Sequence, residues 1–146
     1  MNNGVIIDSR AFDKRLAKVI KNTPKVSKRA LIQTADYGKQ IILQRTAKGI
    51  GYEGRFRRYS PQYAIRKKEG WKGFSGDPSG KVNLMVSGHM LRSMQTQADH
   101  KEGSIYFSNP SAAKLALGNN QTRPFFGFNN REKTKLVRFF RKRIKL

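Results

Sequence analysis

Apolar residues repeat at helical intervals in several parts of this chain, and polar capping residues mark where each repeat starts. Val5, Ile6 and Ile7 form a short apolar run that fits either a strand or a staple ahead of a helix. Asp8 or Ser9 can cap a first helix, because either side chain accepts from the free amides of an opening turn. Phe12, Leu16, Val19 and Ile20 then recur three and four residues apart, the spacing of one buried helix face. Thr23 before Pro24 reads as a cap followed by proline at the first helical position, so a second, longer helix is predicted to about residue 48. Its stripe is Val26, Ala30, Leu31, Ala35, Ile41 and Ile42, with Lys25, Lys28, Arg29, Lys39 and Arg45 mostly outside it. Gly49 and Gly51 end it, as glycine commonly does just past a helix.

There the periodicity breaks. Residues 49–72, GIGYEGRFRRYSPQYAIRKKEGWK, read as neither an amphipathic helix nor an alternating strand. Glycines at 49, 51, 54 and 70 each forfeit backbone entropy, so no stable helix is predicted. Five aromatics (Tyr52, Phe56, Tyr59, Tyr63, Trp71) alternate with Arg55, Arg57, Arg58, Arg66, Lys67, Lys68 and Lys72. Solvated linkers are poor in aromatics, whereas binding arms and lids keep them as anchors. With the turn-rich FSGDPSGK of 74–81, the segment reads as an extended arm over about 49–81.

Beyond the arm, Val82, Leu84 and Val86 alternate with Asn83, Met85 and Ser87, which predicts a short strand or extended lead-in. Ser87 then caps a short helix through Met94, with Met90, Leu91 and Met94 facing inward. A hairpin is predicted between MQTQADHK and SIYFSN, with Glu102 and Gly103 as its turn. Asn109–Pro110 opens a helix carrying Ala112, Ala113, Leu115 and Ala116, which Gly118 ends. Asn129 with Glu132 three residues on is a capping-box start for a last helix, whose line is Leu136, Phe140 and Ile144 with Val137 and Phe139 beside it. The class is α+β: a small antiparallel sheet packed against N-terminal and C-terminal helices, with a long extended arm, in one domain over residues 1–146.

Charge changes this picture most. Lys and Arg total 31 against 9 acids, a net charge of +22, far beyond the magnitude of about 2–8 that solubility asks of a small domain. Such a surface attracts polyanions: nucleic acid, an anionic membrane or an acidic protein face. At 37% the hydrophobic content implies a modest core. The chain has no cysteine, hence neither disulfides nor thiolate metal sites. An N-terminal apolar run of three is no signal peptide, and no stretch nears the ~20 apolar residues of a membrane span. A soluble, cytoplasmically made protein is expected.

Three segments stand in a recognisable order. Gly54-Arg55-Phe56-Arg57-Arg58-Tyr59-Ser60-Pro61-Gln62-Tyr63 is followed by Lys67 and Lys68. Val82-Asn83-Leu84 precedes Ser87-Gly88-His89-Met90-Leu91-Arg92-Ser93-Met94. Arg123-Pro124-Phe125-Phe126-Gly127-Phe128 leads into the C-terminal helix. Together, over roughly residues 25–146, they resemble the tailed-phage virion morphogenesis or tail completion proteins, a family that spans tail components of lambda-like phages and the G-type protein of Mu-like phages. The chain departs from that pattern at Met85, where threonine is usual, and at His89, where aspartate is typical. The resemblance implies a non-enzymatic protein of the virion neck or tail top, made in the host cytoplasm. It would complete the tail and join it to the DNA-filled head as a homo-oligomeric ring of six subunits. Implied partners are the stopper, the terminator, the tail tube and genomic DNA in the lumen, with no membrane. A tail terminator shares that size and symmetry. A free sequence-nonspecific nucleic-acid binder is the rival from another class.

The residues leave three uses for the arm's aromatics: anchors in a neighbouring subunit, stacking platforms for bases, or completion of the chain's own core. The resemblance favours the first, with Phe56, Tyr59, Tyr63 and Trp71 as anchors. Pro124 fixes an extended approach for Phe125 and Phe126, which either plug the sheet–helix junction or make a second subunit contact. Phosphate contacts are expected from Arg55, Arg57, Arg58, Arg66, Lys67 and Lys68 of the arm. Arg138, Arg141, Lys142, Arg143 and Lys145 of the last helix join them, where Glu132 alone offsets the bases. Catalysis is not expected. By residue type only His89 and His100 could serve as bases at neutral pH, and Asp99 beside His100 would point to the opposite face of a strand. Gly49, Gly51 and Gly54 lack the preceding strand of a dinucleotide fingerprint. Neither cofactor nor metal is expected.

Overall fold

The structure, a computed structural model, describes residues 5–8, 24–71, 74–85 and 88–144. The predicted helix around Phe12, Leu16, Val19 and Ile20 lies outside these, as do Thr23, Lys72, Val86, Ser87, Lys145 and the side chain of Trp71. The fold is α+β. In order it runs β1 (Val5–Asp8), α1 (Pro24–Ala47), β2 (Ile50–Gly51), β3 (Gly54–Arg55), α2 (Pro61–Glu69), β4 (Gly70–Trp71), β5 (Phe74–Ser75), α3 (His89–Arg92), β6 (Met94–Ala98), β7 (Glu102–Phe107), α4 (Pro110–Thr122) and α5 (Asn130–Ile144). Where the sequence reads as one domain, the residues group into two compact units, each built from separated segments.

The first unit holds residues to 41, 94–107 and from 128. Its antiparallel sheet has the order β1–β7–β6, with Ile6 opposite Ser104 and Thr96 opposite Ile105. The apolar run at Val5–Ile7 is therefore a strand. Helix α1 packs on β7 through Leu31, Ala35 and Gly38, all buried. At Gly103 a Cβ would stand 2.9 Å from the Leu31 carbonyl, so the smallest residue lets helix and strand close up. That requirement moves the hairpin turn. Glu102 and Gly103 are not the turn but the first residues of β7, and the chain reverses at Asp99–Lys101. There the Asp99 carboxylate accepts the amides of Lys101 at 2.7 Å and Glu102 at 2.8 Å, which hold its pKa below the usual range. Helix α5 buries Leu136, Phe140 and Ile144, and its capping box closes as expected: Glu132 N–H donates to Asn129 at 2.9 Å and Asn129 N–H to Glu132 at 3.0 Å.

The second unit holds residues 42–93 and 108–127. Its core is Ile42, Phe56, Met90, Leu91, Ala112, Ala116 and Phe125. Three readings need correction here. The arm is not free of helix: α2 runs over Pro61–Glu69, because the Ser60 hydroxyl caps the Tyr63 amide and Pro61 stands at the first position, while the glycines at 49, 51, 54 and 70 lie outside it. The Val82–Val86 alternation does not make a strand among the described residues. Leu84 takes a left-handed φ of 57°, and Asn83 Oδ1 accepts the Met85 amide. Gly118 does not end α4, which continues to Thr122, where the Asn119 carbonyl accepts the Arg123 amide.

Candidate functional site

Tyr59 is where the three recognisable segments meet. Its hydroxyl accepts the Leu84 amide at 3.1 Å, and Tyr63, in the first turn of α2, packs against it at 4.7 Å between ring centroids. The Arg123 guanidinium lies 4.5 Å from the Tyr59 centroid, a cation–π contact. Arg123 is fixed there because Nε donates to the Arg57 carbonyl at 2.8 Å and Nη2 to the Arg58 carbonyl at 3.0 Å. Burial pushes both tyrosine hydroxyls above their usual range, opposed at Tyr59 by the Leu84 amide. Tyr59 and Tyr63 line a pocket of about 180 Å³ together with Leu84, His89, Met90, Leu115 and Asn119.

The loop after α4 is held from both sides. Asn120 Oδ1 accepts the amides of Phe125 and Phe126, each at 3.0 Å. Arg45 Nη2 donates to the carbonyls of Phe125 and Gly127, and its guanidinium lies 5.9 Å from the Tyr52 centroid. Hydropathy assigned Arg45 to the solvent side, yet it is only 8% exposed. It continues the helix face of residues 27, 31, 34, 38 and 42, all buried, a face on which only Leu31 and Ile42 are large and apolar, so hydropathy alone does not mark it.

Lys67 is corrected as a phosphate contact. It is buried, and its ammonium pairs with Asp77 at 2.8 Å and donates to the Lys81 carbonyl at 3.1 Å. Lys67 and the Ser79 hydroxyl hold the Asp77 carboxyl well below the usual carboxylate range. Phe56 and Phe125 are likewise corrected as exposed anchors, since both are buried within their own unit. Tyr59, Tyr63 and Phe126 are half-buried, whereas Arg55, Arg57, Arg58, Arg66 and Lys68 are exposed. Arg138, Arg141, Lys142 and Arg143 are exposed on α5.

On α5 the bases form a pattern. Arg131, Lys135, Arg138 and Lys142 recur at intervals of four, three and four residues, on the side opposite Leu136, Phe140 and Ile144. This stripe runs about 16 Å along the helix, and all four residues are exposed. Among the described residues, no group of three His, Cys, Asp or Glu side chains gathers as a metal site would need, and no helix is long and apolar enough to cross a membrane. Comparison with protein-family models, with curated proteins and with solved structures finds no match.

Proposed function

We propose that the chain is a structural protein of the neck or tail top of a tailed phage, completing the tail and joining it to the DNA-filled head as a homo-oligomeric ring. One observation carries this reading. Segments 54–63, 82–94 and 123–128, far apart in sequence, converge on Tyr59 through the Leu84 amide and the Arg123 guanidinium. A common structural role for the three segments is what this reading expects. The exposed stripe on α5 suits the accompanying proposal that the ring faces polyanionic DNA, because phosphate contacts of this kind are blind to sequence. Tail components such as the stopper, terminator and tube are the proposed neighbours, and the virion is the proposed location.

Electron microscopy of a lysate from the parent phage with this gene silenced tests the role. Separate DNA-filled heads beside tails of normal length are expected. Tails of uncontrolled length would reassign the protein as a terminator. Intact, infectious virions would overturn the reading and leave a free polyanion binder.

A further inference from the structure

In the first unit, the opening turns of α1 and the last turn of α5 form a groove of about 520 Å³. Its floor is apolar: Val26, Ala30 and Ile144, with Ala30 and Ile144 continuous with the buried cluster of Leu31 and Phe140. Val26 is 47% exposed, an apolar surface left to water. Its rim is cationic, made of Arg29, Lys142 and Arg143. Among the described residues none of these three is in an ion pair. Arg143 is steadied by stacking 4.6 Å from the Phe139 centroid, which lowers the entropy lost when it takes a ligand.

We propose that this groove docks an acidic amphipathic helix from another protein. Val26, Arg29, Ala30 and Gln33 stand at i, i+3, i+4 and i+7, so the groove offers two helical turns, about 10 Å, in which apolar Val26 and Ala30 alternate with polar Arg29 and Gln33. A helix with apolar residues at the same spacing and carboxylates beside them fills both parts at once. Duplex DNA satisfies only the rim, since phosphates gain nothing from Val26 or Ile144. A second copy is the wrong sign: the net charge is +22, and no eight-residue stretch of this chain carries more than two acids. The groove's chemistry is independent of the role proposed above.

The test is fluorescence anisotropy on the full chain with a labelled fifteen-residue helical peptide bearing one leucine face flanked by glutamates. A peptide with those leucines changed to serine and a short DNA duplex are the comparators. The leucine peptide should bind at least about fivefold more tightly than the serine peptide, the scale expected for burying about one methylene. Val26→Ser should remove most of that difference and leave DNA binding unchanged. Arg29→Glu should weaken the leucine peptide about fivefold, as a rim charge reversal does. Val26 is half exposed, so its variant should melt like the parent, which circular dichroism checks. Equal binding of both peptides, or no effect of Val26→Ser, would reduce the groove to nonspecific charge and overturn the proposal. Self-association lost on Val26→Ser, with no peptide binding, would give the groove to a second copy and overturn it equally.

Discussion

Gly51 lies under the Pro124 carbonyl in the β2–β3 hairpin, and a Cβ there would stand 1.9 Å from that oxygen and 2.7 Å from a Phe56 ring carbon. The oxygen belongs to backbone held by Asn120 and Arg45, so it cannot swing aside cheaply. Gly51→Ala should therefore destabilise the protein by about 2–3 kcal/mol, the upper range for overpacking, read as a lower urea midpoint. Asp77 makes a different prediction. Its carboxylate partners Lys67, Ser79 and Asn83, so Asp77→Asn should cost about 2–3 kcal/mol, less than the ~3–5 of a fully buried pair because Asp77 is 29% exposed. The sign in pH follows from the lowered pKa. The folded state holds the carboxylate charged, so its contribution is present above the unfolded value of about 4 and is lost as pH falls below it. Acid titration of stability below about pH 4 should flatten in Asp77→Asn. A variant that keeps the parent's acid slope would mean that other carboxylates carry it.

The elements formed where local chemistry and buried face agreed, and departed from expectation where they competed. Helix α5 had both a capping box and a clean apolar line, and both hold. Helix α1 buries Ser27, Thr34, Arg45 and Thr46 among its apolar residues, which composition alone hides. Thr34 is accommodated because its hydroxyl donates to the Ala30 carbonyl at 2.7 Å. Gly118 shows the opposite case, a residue that looks like a stop and is crossed. It lies inside α4, exposed, and a Cβ added there would meet no atom within 4 Å. Gly118→Ala should stabilise the protein by about 0.5–1 kcal/mol through reduced backbone entropy of the unfolded chain, seen as a raised thermal midpoint. A loss of stability would mean the glycine is needed as a flexible joint.

For the molecule as a whole, a charge of +22 makes association with polyanions steeply dependent on salt. Binding to a short DNA duplex, titrated against potassium chloride, should weaken linearly on logarithmic axes. Changing Arg131, Lys135 and Arg138 together to glutamine should reduce that slope by about 2–3, close to one for each phosphate no longer neutralised. An unchanged slope would move DNA binding away from α5 and onto the exposed bases at 55, 57, 58, 66 and 68.

The sequence by itself determined the helices that carry a cap and a single apolar face, the α+β class, and the excess of positive charge. Those properties are local or additive, so they survive without knowledge of what packs where. Only the tertiary structure decided which polar residues are interior. Arg45 is held by the carbonyls of Phe125 and Gly127, some eighty residues away in sequence, and Lys67 by a carboxylate presented by the following turn. Gly103 entered a strand and Leu84 a left-handed turn for the same reason: the partners that fix them, Leu31 and Tyr59, come from distant segments. A charged or strained residue is tolerated in a protein interior only when its partners are already in position, and no local pattern records that.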